Sequence, residues 1–181
     1  MKALITGFVS LTLAWSGCWA APASADEAPA APVAKPLPVM PLQDAYNPDN
    51  PFAQILRGER HQAKVYEDDQ VLAFMDQAPV MPGHVLVISK VSRARNLLDE
   101  SPEDLSRLMA VVRRVGQAQV AALGALGFTI MQNNGAGQSV PHLHIHVMPR
   151  MTTTPLVFGS KPLPDPAELE AIASKLRAAM R

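Results

Sequence analysis

The stretch that decides the fold is His142-Leu143-His144-Ile145-His146, in which imidazole and apolar side chains alternate. On a β-strand, residues two positions apart point to the same face. The alternation therefore predicts that the three histidines line one surface while Leu143 and Ile145 enter the core. Because the whole chain of 181 residues holds five histidines, three of them on one face indicate chemistry rather than chance.

Three imidazoles on one face support two kinds of chemistry, and both stay open on these residues. Alternating histidines can hold a zinc ion and leave one coordination position for water. A neutral imidazole can instead attack phosphorus while its neighbours fix its tautomer. No cysteine or carboxylate stands in the adjoining sequence to complete a tight transition-metal site. The pattern therefore favours nucleophilic catalysis without a metal or another cofactor.

The loop before the histidines supplies groups that phosphorus chemistry needs. Residues 134–139 read Asn-Gly-Ala-Gly-Gln-Ser. Small residues such as Gly137 let backbone N–H groups approach a phosphate, and the side chains of Gln138 and Ser139 can donate hydrogen bonds. Since Ser139 stands three residues before His142, we expect this loop to lie beside the histidines and contact the substrate.

The remaining sequence predicts a small mixed domain. Five short strand patterns are interrupted by one long helix that begins after Ser101, and shorter helices begin at Asn50-Pro51 and near Asp165-Pro166. This order predicts an α+β fold, with a five-stranded antiparallel sheet, one long helix and short terminal helices. The simplest packing places the helices on one face of the sheet.

Composition divides the chain into four segments. Residues 1–25 combine a basic start, an apolar stretch and a small-residue site, which predicts a signal peptide cleaved after Ala25. Residues 26–46 are rich in Ala and Pro and predict a linker. The folded domain is expected over residues 47–155, and residues 156–181 are expected to form a tail with a short helix.

The predicted signal peptide implies export, and we expect a periplasmic protein that leaves the membrane after cleavage. Acylation of Cys18 as a lipoprotein is the alternative. Because Cys18 is the only cysteine, a chain that starts at Asp26 has no thiol for a disulfide or for catalysis. The formal net charge is +0, so no overall field attracts nucleic acid or a membrane, and a small molecule is the expected partner.

The segment 137–147 resembles the signature of the histidine triad (HIT) family, in which three histidines alternate with apolar residues. Further segments resemble the first strands of that family in order and spacing, namely residues 67–69, 72–76 and 82–88. The resemblance implies a HIT-like fold, a homodimer and a nucleotide-type small-molecule substrate. It also implies hydrolysis or transfer through a nucleotidyl-histidine intermediate.

The same resemblance implies roles for the histidines. His144 matches the nucleophile that attacks the α-phosphorus of a nucleotide conjugate. His142 and His146 are expected to orient His144 and to contact phosphate oxygens. His84, which heads another predicted strand, is expected to support them from the adjacent strand.

The resemblance implies further contacts around the nucleotide. Ser139 and Gln138 are expected to bond the leaving group and the bridging oxygen. Asp76 matches the residue that holds the ribose hydroxyls, although an Asp that ends a strand before a turn also fits a solvated turn residue. Asn133 matches a residue that lies against the nucleotide.

The substrate stays open between a nucleoside phosphoramidate and a dinucleoside polyphosphate. Phe52, Ile55 and Phe74 are candidates for an apolar wall against the base, although their spacings also fit plain core. Two other classes of protein remain as alternatives: a nucleotide-binding protein without turnover, and a metal-binding protein that uses the histidine cluster.

Overall fold

The structure is a computed structural model that describes residues 38–158 and 162–180. The predicted signal peptide and residues 26–37 of the predicted linker lie outside these residues. The described chain contains three α-helices, one 3₁₀ turn and five strands, with the following bounds: α1 Pro51–Leu56, β1 Lys64–Glu67, β2 Val71–Met75, β3 Val85–Ser89, 3₁₀ Leu97–Asp99, α2 Pro102–Leu123, β4 Gly127–Met131, β5 His144–Arg150 and α3 Pro166–Ala179.

The strands form one antiparallel sheet in the order β1-β2-β3-β5-β4. The predicted α+β fold with a five-stranded antiparallel sheet is therefore confirmed. The long helix α2 connects β3 to β4, and β5 returns to the centre of the sheet beside β3. In that pairing Ile88 lies opposite His144 and Leu86 lies opposite His146, so the histidines sit among buried strands.

The helix starts follow the sequence signals. The Asn50 side chain accepts hydrogen bonds of 3.0 Å from the backbone N–H groups of Phe52 and Ala53, which caps α1. The Ser101 hydroxyl accepts from the N–H of Asp104 at 3.0 Å and caps α2. The Asp104 side chain does not bond back to the N–H of Ser101: its carboxylate accepts from Arg107 at 2.6 Å, and the N–H of Ser101 donates to Glu100 at 3.0 Å.

The two faces of the sheet are covered differently. Alternate strand residues such as Val85 and Val87 pack with α2 and α3 in the main core. The residues between them, such as Leu86 and Ile88, form a second cluster with Phe52 and Ile55 of α1. The expectation that all helices share one face is therefore wrong: α1 covers the histidine-bearing face, because its apolar side chains fill only that smaller cluster.

Two segments outside the predicted domain contact it. In α3, the side chains of Leu169, Ala173 and Leu176 are buried in the main core. At the other end, Val39 forms a β-bridge with Ala136, so the described part of the predicted linker lies against the domain. Among the described residues, no helix is long and apolar enough to cross a membrane.

Candidate active site

Three of the four predicted site histidines are almost completely buried. The exposed fractions are 1% for His84, 1% for His142 and 2% for His144, and His146 is half-buried. Strand β5 begins at His144, so His142 precedes the strand rather than lying on it. The backbone bends at His142, and its carbonyl accepts a hydrogen bond from a side chain.

That carbonyl fixes the tautomer of His144. The Nδ1 atom of His144 lies 2.7 Å from the carbonyl oxygen of His142. Because a carbonyl only accepts, Nδ1 carries the proton and Nε2 carries the lone pair. Burial lowers the pKa of His144 to about 4, so the ring is neutral at neutral pH and its Nε2 lone pair is available.

His142 is also held by a backbone carbonyl, that of Ser89 at the end of β3. Its Nε2 lies 3.3 Å from the carbonyl oxygen of Ser89, which again assigns the proton to that nitrogen. Its Nδ1 therefore accepts the hydrogen bond of 2.8 Å from the hydroxyl of Tyr46. Burial lowers the pKa of His142 to about 4. This ring is fixed, neutral and enclosed.

His84 and His146 form a second pair, in which the proton is not assigned by geometry. The Nε2 atom of His84 lies 2.9 Å from Nδ1 of His146, and either nitrogen can donate. The Nδ1 atom of His84 lies 3.3 Å from Oδ2 of Asp76 and 3.3 Å from the backbone nitrogen of Val80. The carboxylate favours a proton on Nδ1, whereas the Val80 N–H favours a lone pair there. Two proton arrangements are therefore possible.

The free end of this pair is Nε2 of His146. It is buried and has no hydrogen-bond partner among residues 38–158 and 162–180. Burial lowers the pKa of His146 to about 4, so the ring is neutral at neutral pH. Depending on the arrangement of the pair, this nitrogen presents either a proton or a lone pair.

His144 and His146 line one wall of a cleft of about 170 Å³ between α1 and the sheet. Other predicted residues share this cleft: Phe52, Ile55, Phe74, Asp76 and Ser139. Cavities of about 390 and 400 Å³ lie elsewhere, near Pro162 and near Arg114. They are larger, but no histidine lines them, so we assign the site to the smaller cleft on its chemistry.

The structure keeps other predicted residues out of the cleft. His84 and His142 lie behind the cleft-lining histidines, and Asn133 does not line it. The buried Gln138 side chain accepts from the N–H of Gly135 at 3.2 Å and donates to the carbonyls of Arg95 and Val140. Its hydrogen bonds therefore hold the loop together instead of facing a substrate.

The backbone N–H groups of Gly137 and Gln138 also have partners within the protein. The N–H of Gly137 donates to the carbonyl of Pro38 at 2.8 Å, and the N–H of Gln138 donates to that of Gly135 at 3.2 Å. These groups are not aimed at a phosphate. The exposed Ser139 remains as the cleft-lining donor of this loop.

Several cleft residues were not predicted from the sequence, notably Arg60, Gln62 and Leu86. Leu86 could have been found from strand alternation, because it shares a face with His84. Arg60 and Gln62 precede β1 without any motif, and only the pairing of β1 with β2 brings them near Asp76. Tyr46 was also missed, since it lies 96 positions from His142.

The sequence profile of the HIT domain matches residues 57–153. The chain belongs to the HIT family. A crystal structure of a HIT-like protein from Bartonella henselae has 42% identity and a TM-score of 0.71, covering 75% of this chain and 99% of that one. A Zn-bound histidine triad family protein from Mycobacterium smegmatis has 36% identity and a TM-score of 0.63, covering 71% and 91%.

Two HIT relatives are named as enzymes. The adenylylsulfatase HINT3 of Arabidopsis thaliana is 38% identical over 101 residues, which cover 55% of this chain and 51% of the relative. The asymmetrical bis(5'-nucleosyl)-tetraphosphatase of Schizosaccharomyces pombe is 41% identical over 80 residues, which cover 43% of each chain. Both names describe hydrolases of nucleotide conjugates.

Proposed function

We propose that this HIT protein hydrolyses or transfers a nucleotide conjugate through a nucleotide bound covalently to His144. The observation that carries the proposal is the hydrogen bond of 2.7 Å from Nδ1 of His144 to the carbonyl of His142. It leaves the Nε2 lone pair of a neutral ring at the cleft. An imidazole with a fixed tautomer and a free lone pair is an activated nucleophile.

The reaction proceeds in two displacements. The Nε2 lone pair of His144 forms a bond to the α-phosphorus, and the bond from phosphorus to the leaving nitrogen or oxygen breaks. The leaving group departs with that electron pair and takes up a proton. Water or another acceptor then attacks the same phosphorus and loses a proton, and the N–P electron pair returns to Nε2.

Asp76, His84 and His146 are suited to the proton steps. Nε2 of His146 has no protein partner among the described residues, and the centroids of the His144 and His146 rings are 5.0 Å apart. When His84 donates to Nδ1 of His146, Nε2 can give its proton to the leaving group; the His84 proton then moves to Nδ1 of His146, and Nδ1 of His84 takes up a replacement proton from water on the Asp76 side. In the reversed pair Nε2 accepts a proton from the incoming water, and Nδ1 of His84 returns one to solvent.

The cleft has apolar and polar sides that match the base and the sugar of a nucleotide. Phe52, Ile55 and Phe74 supply an apolar wall for a base, and Asp76 offers a carboxylate for hydroxyl groups. The names of the Arabidopsis and Schizosaccharomyces relatives support nucleotide conjugates as substrates. We propose a nucleoside phosphoramidate or a dinucleoside polyphosphate.

The direct experiment is to incubate the purified protein with adenosine and guanosine phosphoramidates and dinucleoside polyphosphates, and to measure the released mononucleotide. The matched control is the variant His144→Asn, which keeps a polar side chain and loses the nucleophile. Release by the wild type that the variant lacks supports the proposal. Tight nucleotide binding by both proteins without release indicates a binding protein instead.

A metal-binding role is the second candidate. Asp76, His84 and His146 each offer a ligand atom, and these atoms lie within 4.8 Å of one another. A Zn-bound relative also exists. Against it, the two imidazoles already hydrogen-bond each other. We expect dialysis against a strong chelator to leave turnover unchanged, and loss of turnover restored by zinc alone would favour the metal role.

We also propose export to the periplasm, with cleavage after Ala25, because residues 1–25 have the pattern of a signal peptide. The intact mass of the protein recovered from the native host tests this. A mass equal to that of a chain starting at Asp26 supports the proposal. A mass that corresponds to a chain still containing Trp19, or to a chain with a diacyl group on Cys18, contradicts it.

We further propose a homodimer, since β4 is an edge strand with one neighbour and carries the exposed apolar residues Phe128 and Ile130. An exposed apolar edge strand is a surface that a second chain can cover. Light scattering of the wild type should give twice the mass of one chain, and the variant Ile130→Lys should lower it.

A further inference from the structure

The segment 38–46, which has the composition of a linker, is fixed against the domain. The N–H of Met40 donates to the carbonyl of Gly135 at 3.1 Å, and the carbonyl of Pro38 accepts from Gly137 at 2.8 Å. These bonds place the segment beside the loop that precedes the histidines. Its prolines lack N–H groups but keep their carbonyls, so the segment is well supplied with acceptors.

Arg95 uses those acceptors. This side chain is buried, with 5% exposed, and its guanidinium donates to the carbonyls of Pro41 at 2.7 Å, Asp44 at 3.1 Å and Leu42 at 3.3 Å. Asn96 donates to the same Leu42 carbonyl at 2.8 Å. A buried cation is costly unless its donors are satisfied. The two terminal nitrogens donate to these carbonyls, whereas Nε has no partner among the described residues, so the segment supplies the acceptors for the guanidinium and is held by it.

The fixed segment ends at Tyr46, whose hydroxyl lies 2.8 Å from Nδ1 of His142. The direction of this bond follows from the opposite side of the ring. Nε2 of His142 carries its proton toward the carbonyl of Ser89, so Nδ1 is the acceptor and Tyr46 donates. Tyr46 thus closes the last open position of the His142 ring.

His142 in turn fixes the orientation and the tautomer of the His144 ring, because its carbonyl accepts a hydrogen bond from Nδ1 of His144. We propose that Tyr46 is a positioning residue for His144, acting through His142, and that the segment 38–46 is part of the active site. This inference rests on the proposed function. Tyr46 does not line the cleft, so it acts on the orientation of the nucleophile and not on substrate binding.

Removal of the hydroxyl leaves Nδ1 of the buried His142 ring without a donor and lets the ring and its backbone shift. A hydrogen bond of this kind contributes about tenfold to an equilibrium or a rate. We expect Tyr46→Phe to lower kcat about tenfold while KM changes little. A small misplacement of a reacting atom is costly to the rate even when binding is retained.

The chain provides a matched control, because it contains two tyrosines. The hydroxyl of Tyr66 donates to Asp68 at 2.7 Å on the surface, and the ring lies against Arg114 rather than the histidines. Tyr66→Phe removes the same atom and should leave kcat unchanged. Equal kcat values for Tyr46→Phe and Tyr66→Phe, or a change confined to KM, would overturn the proposal.

A double-mutant cycle tests the route through His142. If Tyr46 acts through that ring, then Tyr46→Phe should have no further effect on kcat in a His142→Ala background. Independent, multiplicative losses would show that Tyr46 acts elsewhere, and would contradict the proposal.

A measurement without substrate separates this inference from the proposed function. In ¹⁵N spectra of the full protein, the His142 Nδ1 resonance should move in Tyr46→Phe and stay in place in Tyr66→Phe. If the protein turns over no nucleotide conjugate, the proposed function fails, but the resonance still tests the hydrogen bond between Tyr46 and His142. If the resonance moves and kcat does not change, the positioning role fails while the proposed function stands.

Discussion

The site contains two pairs of histidines that hold their protons in different ways. In the pair His142–His144, each ring donates to a backbone carbonyl, which can only accept. In the pair His84–His146, the rings bond each other, and either can donate. The first pair therefore has a permanent lone pair, as a nucleophile needs, whereas the second can reverse, as a proton carrier needs.

The largest effect is expected in the fixed pair. The variant His144→Asn should lower kcat by about 10⁴-fold or more, because it removes the lone pair that the His142 carbonyl fixes at the cleft. Nucleotide affinity, measured by calorimetry, should stay within a few-fold of the wild type, since the apolar wall and Asp76 are intact. Appreciable turnover by this variant would move the nucleophile to another residue.

The reversible pair should give a smaller and non-additive effect. His84→Gln and His146→Gln should each lower kcat by about 10²- to 10⁴-fold, the range typical of acid–base and orienting groups. Because the two rings form one hydrogen-bonded unit, the double variant should be little worse than the poorer single variant. Losses that multiply would show that the rings act separately.

The pH dependence should separate activity from stability. Burial lowers the pKa values of His142, His144 and His146 from 6.5 to about 4, so the nucleophile is neutral from pH 7.5 down to pH values well below 6.5. We expect kcat/KM to show no inflection near 6.5. An inflection there would indicate a catalytic imidazole with an ordinary pKa.

The free energy of unfolding should respond over the same range. Between pH 6.5 and 4 the unfolded chain binds more protons than the folded one, because the folded pKa values are lowered. The stability contributed by the neutral rings is thus fully present above pH 6.5 and is lost as the pH falls from 6.5 through 4. Urea unfolding at several pH values tests this, and equal stability across the range would contradict it.

The smallest effect concerns the glycine that precedes His84. Gly83 has a φ of +89°, and an added Cβ would lie 2.7 Å from Leu123 and 2.9 Å from Pro149. Gly58 has a φ of +77° and no atom within 4 Å of such a Cβ. Gly58→Ala therefore measures backbone strain, of about 1 kcal/mol.

Gly83→Ala should lower the free energy of unfolding by about 1–3 kcal/mol more than Gly58→Ala, because the clash adds to the same backbone strain. Thermal or urea unfolding of both variants gives the difference directly. Equal destabilisation by the two substitutions would mean that Leu123 and Pro149 move aside freely, and that the start of β3 is less tightly packed than the structure indicates.

Most of the fold could be predicted because it depends on local patterns. Asn50 and Ser101 precede helices as expected and cap them, and the five expected strands are present. The face on which α1 packs could not be predicted, because it depends on which strand residues become neighbours. That pairing is non-local.

The site was predicted less completely, for the same reason. His144, His146, Asp76 and Ser139 line one cleft, and the roles that the resemblance implies for them stay predictions. Gln138 does not, because its amide finds closer acceptors in the backbone. The residues that decide proton positions, Ser89 and Tyr46, carry no local signal: one acts through its carbonyl and the other comes from the segment predicted to be a linker.

The account depends on His144 as the group that carries the nucleotide, and one measurement tests this most directly. The protein is mixed with a substrate conjugate, quenched without acid after a fraction of a turnover, digested and analysed by peptide mass spectrometry. We predict a nucleotide adduct on His144, absent from His144→Asn. An adduct that maps reproducibly to His84, or turnover without any adduct on a histidine, would contradict the account.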